Sequence, residues 1–219
     1  MNKMLSRMAL ALAALTLASL ACGAFSAGGP LLQDDFSKTS SGWGTGTDSD
    51  SSVEYANDAF QIQVYTPNYL TWSTPNTTDY ENVHVEVTAK PMDGNPNTAF
   101  GLICNTQGVL ASYYYFVITP SGEYAIAKAE ITQTDVFFTN NDDWGTSNLI
   151  AQNAASYRIG ADCGNGRLTL YVDGQQIDSA TDTTFTTGRV GVIVWSANEE
   201  PQADIIFDDF QVTKLAEPQ

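Results

Sequence analysis

The sequence predicts an all-β protein, a two-sheet antiparallel β-sandwich or jelly roll, and three observations carry that expectation. Apolar residues alternate with polar ones at a period of two, as where Val83, Val85 and Val87 interleave with His84, Glu86 and Thr88. Turn chemistry recurs between the extended runs, at Asn57-Asp58, Pro120-Ser121-Gly122, Gly164-Asn165-Gly166 and Asp173-Gly174. Many short strands in one stretch of about 185 residues, with no internal repeat and no linker, fit two packed antiparallel sheets better than a parallel one. A composition of 43% hydrophobic and 16% charged residues supplies enough apolar side chains for a core, which argues against disorder.

Taken in order, residues 1–21 read as a secretory signal. Lys3 and Arg7 form a positive start, and the apolar run from Met8 to Ala21 is too short to span a bilayer. Leu20-Ala21-Cys22-Gly23 resembles a bacterial lipobox, in which small residues precede a lipid-modified cysteine, although Ser19 stands where that pattern prefers Leu, Val or Ile. The expectation is an exported chain held at the cell envelope, on the extracytoplasmic face, through a lipid on Cys22, with residues 22–32 as tether. The folded domain is expected over residues 33–215, with 216–219 as a tail.

Strands are expected at Val53 and at Phe60, Ile62 and Val64 around Asn57-Asp58, then through Val83–Val87. Further runs are Ala99–Cys104, Ser112–Thr119, Glu123–Ala129, Tyr157–Ala161, Arg167–Val172, Arg189–Trp195 and Ala203–Thr213. Only Asn148–Ala155 reads as locally helical. Asp34-Asp35-Phe36 and Asp208-Asp209-Phe210 repeat one triplet near the two ends, as expected if first and last strands lie side by side. Outside the signal, Cys104 and Cys163 form a pair that an oxidising compartment would join. Closing a loop of about 60 residues would stabilise the fold by roughly 3–4 kcal/mol, less any strain.

Charge excludes whole function classes. With 9 basic and 25 acidic residues the formal charge is −16. Loss of Lys3 and Arg7 with the signal leaves seven basic against 25 acidic, or −18. Nucleic acids and anionic lipid headgroups demand the opposite sign, so no nucleic-acid partner is expected and any membrane contact would run through the lipid anchor alone.

A run of motifs then acquires meaning together: Asp34-Asp35-Phe36-Ser37 with Gly42-Trp43, Ala59-Phe60-Gln61-Ile62, Phe100-Gly101-Leu102-Ile103-Cys104, Tyr114–Ile118 with Gly122-Glu123-Tyr124, Leu168–Gly174, Gly191-Val192-Ile193 and Phe207–Phe210. This order resembles the concanavalin A-like lectin and glucanase jelly rolls, and within them the laminin G-like and 3-keto-disaccharide hydrolase-like domains of bacterial envelope proteins. The resemblance covers nearly the whole exported chain through structural motifs, so it implies the fold more strongly than any activity.

Glucanase relatives carry Glu-x-Asp-x-x-Glu on one strand, which sets two carboxylates on one sheet face at the spacing that retaining hydrolysis needs. Here no Glu is followed by Asp two residues later; Asp79-Tyr80-Glu81 is the nearest fragment and lacks the third carboxylate. A hydrolase or lyase acting on modified glycosides with dispersed catalytic residues stays an alternative, as does a structural or protein-interaction module. His84 is the sole histidine, so any histidine-dependent nucleophilic scheme would have to use it; beside Glu86 on a strand face it reads as a sheet residue. No phosphate-binding glycine loop followed by Lys is present, and Gly42–Gly46 runs into the acidic Asp48–Ser52.

The remaining chemistry is aromatic. Sugars offer apolar C–H faces and hydroxyl edges, so a carbohydrate surface needs Trp or Tyr rings beside amides and carboxylates. Four Trp, ten Tyr and polar loops such as Asn140–Trp144 supply those types. On Ser112–Thr119 the alternation divides Tyr114, Phe116 and Ile118 from Tyr113, Tyr115 and Val117, and Val190, Val192 and Val194 turn Trp195 outward. Tyr113, Tyr115 and Trp195 are thus the expected ligand platform, for a glycan or another extracellular ligand. No cofactor is required; a structural calcium is considered at Asp35 and Asp209, where paired ends would bring two carboxylates together. The sequence leaves the oligomeric state open.

Overall fold

The computed structural model of the chain describes residues 29–75, 77–108, 112–196 and 202–216. The signal, the lipobox and Cys22 lie outside the described residues, as do residues 217–219 of the tail. Among the described residues the chain forms seventeen strands, β1 to β17 in chain order, and one 3-10 turn at Thr39–Ser41.

The strands make two sheets. The larger one runs Gln175–Thr181 (β15), Arg167–Val172 (β14), Tyr157–Gly164 (β13), Val83–Pro91 (β7), Ala203–Lys214 (β17), Ala59–Val64 (β4), Ser51–Ala56 (β3) and Gly46–Thr47 (β2), with Leu32–Asp34 (β1) also on β17. The smaller one runs Val136–Phe137 (β11), Glu123–Ala129 (β10), Ser112–Ile118 (β9), Ala99–Gln107 (β8), Thr187–Trp195 (β16) and Leu70–Ser73 (β5). Gly145–Thr146 (β12) adds to β10, and Tyr80–Glu81 (β6) to β16.

Local chemistry sets the hairpins. Asn57-Asp58, Asn165-Gly166 and Asp173-Gly174 each occupy a two-residue connection with both φ angles positive, between 50° and 75°. That backbone matches the twist of antiparallel strands and favours Asn, Asp and Gly. The residues of one parity, among them Val83, Val85, Val87, Phe60, Ile62, Ile205, Phe207, Leu102, Phe116 and Val192, fill the space between the sheets and are at most 2% exposed. Cys104 on β8 and Cys163 on β13 are joined across that space, with Cα atoms 6.5 Å apart, so the disulfide ties one sheet to the other.

The repeated end triplet has a structural reason. β1 pairs antiparallel with β17 in the register Asp34↔Phe210. Phe36 and Phe210 both pack on Trp43, at 5.1 and 4.8 Å between ring centroids, and Asp34 Oδ2 accepts a hydrogen bond from Trp43 Nε1 at 2.8 Å. Asn148–Ala155, expected to be helical, is a series of turns and bends without helix. Ile150 anchors it in the core, while Tyr157 Oη donates to Ala151 O and accepts from Ala154 N, using backbone groups a helix would need for itself.

Candidate ligand-binding face

The outer face of the smaller sheet carries a second apolar cluster, separate from the inter-sheet core. Its floor follows from register. Trp72 on β5 stands opposite Ile193 on β16, which faces Gly101 on β8, Val117 on β9 and Ala125 on β10. In the next row Ile103, Tyr115, Ala127 and Phe137 line up across β8, β9, β10 and β11. Small residues at Ala99, Gly101, Ala125 and Ala127 leave room above the sheet, and large rings fill it.

Six of those rings form one continuous path: Trp72, Tyr113, Tyr115, Phe137, Trp144 and Trp195, with successive centroids 6.1 to 6.3 Å apart. The structure therefore brings Tyr113, Tyr115 and Trp195 to one face, but at different depths. Tyr113 is 6% exposed and Tyr115 1%, so both belong to the floor. Trp72, Phe137, Trp144 and Trp195 are half-buried and form its open layer. Trp195 Nε1 donates to Asn68 Oδ1 at 3.0 Å, which fixes the indole plane.

Trp144 reaches this layer from the polar loop 139–144. Asn140, Asn141 and Asp142 all take positive φ, Thr139 Oγ1 donates to Asp143 O at 2.7 Å, and Asp142 Oδ1 accepts from Phe137 N at 2.8 Å. The loop is thus folded tightly on its own hydrogen bonds and presents one indole. Beneath it Tyr115 Oη donates to Asp135 Oδ2 at 3.0 Å. Burial, reinforced by the Asp135 charge, pushes Tyr113 up to about 12 and Tyr115 further, so both hydroxyls stay protonated. Burial also raises Asp135, against the hydrogen bond from Tyr115.

Glu123 starts β10, while Asp135 is held over Tyr115, whose register partner is Ala127. Four residues separate Glu123 from Ala127, about 13 Å along a strand. Glu123 Oε2 accepts a hydrogen bond from Ser121 Oγ at 3.4 Å.

His84 lies on the opposite side of the molecule, on the outer face of the larger sheet. Its Nδ1 donates to Asp162 Oδ1 at 2.6 Å and its Nε2 approaches Glu86 Oε1 at 3.1 Å; Arg158 Nη2 bonds Glu86 Oε2 at 3.0 Å, and Tyr171 Oη donates to Asp162 Oδ2 at 2.8 Å. Burial disfavours the charged ring, but the hydrogen bonds to Asp162 and Glu86 and their charges outweigh it and push His84 up to about 9. The result is a cross-strand ion network linking β7, β13 and β14. Every ring nitrogen is engaged, so the arrangement holds strands together and offers no free base.

The β1–β17 register pairs Asp34 with Phe210, next to both Asp35 and Asp209; Asp35 Oδ1 is taken by Ser37 N and Oγ at 3.1 and 2.6 Å, and the main-chain oxygen of Asp209 accepts from Arg158 Nη1 at 2.6 Å. A guanidinium on that oxygen takes one acceptor that calcium, with its need for six or more oxygens, would otherwise use. Among the described residues no group of three or more His, Cys, Asp or Glu is placed to hold a metal.

Two antiparallel sheets packed in this way form a jelly-roll β-sandwich of the concanavalin A-like fold. Solved structures agree over most of the chain. Carbohydrate-binding module CBM66 from Bacillus subtilis superposes with a TM-score of 0.62 at 16% identity, over 80% of this chain and 96% of that one. A Bacillus licheniformis beta-glucanase gives 0.60 at 15%, over 86% and 100%, and a Bacillus subtilis protein with a galectin-like fold gives 0.62 at 13%, over 85% and 96%. At such identities the likeness establishes the fold. No protein-family model matches the chain, and no curated protein sequence does.

Proposed function

We propose that this protein binds carbohydrate on the outer aromatic face of its smaller sheet, without turnover, as an exported module anchored to the envelope through a lipid on Cys22. The observation that carries the reading is the unbroken path of six rings, with the indoles of Trp72, Trp144 and Trp195 partly open above a closed floor. Open indoles at this spacing suit the apolar faces of successive sugar units, and the Asn68 amide beside Trp195 suits their hydroxyls. The lack of a Glu-x-Asp-x-x-Glu segment in the sequence favours binding over glucanase-type hydrolysis. The named activities of the carbohydrate-binding module and of the beta-glucanase are consistent with a saccharide ligand.

A glycan array probed with the purified protein, with and without Ca²⁺, tests this. Selective binding is expected, and Trp144→Ala or Trp195→Ala should weaken it about tenfold or more while the far-ultraviolet circular dichroism stays unchanged. Binding that survives both changes, or no binding to any glycan, would sink the proposal and shift the weight to a protein-interaction module.

A further inference from the structure

A second candidate surface lies on the outer face of the larger sheet, where β4, β7 and β17 end together. Gln63, Tyr65, Met92, Asp93, Gln202 and Asp204 surround a groove of about 590 Å³ there. That volume is within the range of small-molecule sites and exceeds one sugar residue. Three independent features point to a ligand. First, Tyr65 and Met92 leave large apolar surfaces in solvent, at 41% and 59% exposure, on the rim of the groove.

Second, the carboxylates are fixed in place before any ligand arrives. Asp204 accepts from Gln61 Nε2 at 2.7 Å and from Gln63 Nε2 at 3.1 Å. Asp93 Oδ2 accepts from Thr98 Oγ1 at 2.9 Å and from Asp204 N at 3.1 Å, while its Oδ1 accepts from Asn95 N at 2.8 Å. A carboxylate has about four acceptor positions, so both keep some for an incoming donor.

Third, no cation is paired with Asp93 or Asp204 among the described residues, whereas the same sheet face pairs Glu86, Asp162 and Asp208 with Arg158, His84 and Lys90. A ligand here must bring hydrogen-bond donors and an apolar patch, and must not bring negative charge to a chain that already carries −16. A neutral sugar does all three: hydroxyls donate to the carboxylates, and the C–H face lies on Tyr65. A bare cation would leave the tyrosine ring and the thioether unused.

We propose that this groove is a second saccharide site, taking one neutral, hydroxyl-rich sugar residue. The aromatic face is on the far side of the sandwich, across two sheets about 10 Å apart and their outer side chains. A chain with both sites holds two glycan strands at once, and the groove binds whether or not the aromatic face does.

Amide and indole ¹H–¹⁵N spectra of the purified protein read the two places separately. Glucose, galactose, mannose, fructose and N-acetylglucosamine are titrated in turn at millimolar concentrations, and Ca²⁺ alone serves as a further arm. At least one sugar is expected to shift the amides of Tyr65, Asp93 and Asp204. Tyr65→Ala should weaken that response three- to tenfold and leave the Trp195 and Trp144 indole responses unchanged; Trp144→Ala should do the reverse. Groove amides that stay still while the indoles shift would overturn the second site and leave the aromatic face standing. Groove amides that respond to Ca²⁺ and to no sugar would overturn it in favour of a cation. Stillness at both places would remove both readings.

Discussion

His84 should titrate far above an ordinary histidine, and the chain contains no other histidine to confuse the measurement. Only the imidazolium donates from both nitrogens, and here both face carboxylates, Asp162 at 2.6 Å and Glu86 at 3.1 Å. Arg158 also faces Glu86, which counts against the cation, and Tyr171 donates to Asp162. With a folded pKa of about 9 against about 6.5 unfolded, the shift corresponds to about 3 kcal/mol at face value. The ring is 24% exposed, so solvent screening reduces this to on the order of 2 kcal/mol.

The sign follows from which state holds the proton. The folded state binds it more tightly, so the stabilisation is complete below about pH 6.5 and is lost as pH rises through about 9. Urea unfolding of wild type at pH 6, 7.5, 8.5 and 9 should show that loss, and His84→Gln should reduce it. Burial raises Tyr114, Tyr124 and Tyr171 in the folded chain, so their ionisation in the unfolded chain also lowers stability as pH approaches 10, and the share of His84 is the difference between wild type and His84→Gln at each pH; the bonded cysteines do not titrate. Imidazole resonances give the pKa directly. A midpoint near 6.5, with a wild-type stability curve that His84→Gln does not alter, would refute the reasoning and mean that burial cancels the carboxylates.

Two further outcomes follow from the cysteines. Replacing Cys104 and Cys163 together with Ala should lower unfolding stability by about 3–4 kcal/mol, because 59 residues of sequence separation are no longer closed in the unfolded chain; a change under about 1 kcal/mol would show that the sandwich does not depend on this tie. Cys22→Ser should move the protein from the membrane fraction to the soluble fraction of the producing cell, and unchanged fractionation would remove the lipid anchor from the proposal.

Much of the fold was legible because its signals are local. The Asn57-Asp58 and Asp173-Gly174 connections announce themselves through residues that tolerate positive φ, and Val83–Val87 shows its buried face through alternation alone. β5 and β15 were not legible. Leu70–Ser73 is only four residues long, and Gln175–Thr181 is a polar strand at the sheet edge, where one face is wet and the other only half covered. Helical character expected at 148–155 gave way to tertiary contacts of Ile150 and Tyr157 that no window of sequence contains.

The aromatic face shows most clearly where periodicity stops. Alternation on β9 correctly separates Tyr114 and Phe116 from Tyr113 and Tyr115, yet it reports only which way a side chain leaves the sheet, never whether something lies on top of it. Here the cover comes from far along the chain: Phe137 and Trp144 return over Tyr115 after the excursion beyond β10, and Trp72 arrives from β5 to meet Tyr113. Those rings approach because the floor is made small. A Cβ on Gly101 would come within 2.0 Å of Phe116 O, and one on Gly191 within 2.1 Å of Ser73 O, so the strands beneath are packed to backbone contact. The half-buried indoles are therefore set by long-range packing on a tight sheet, and the surface offered to a ligand is Trp72, Trp144 and Trp195, with the two tyrosines as its support.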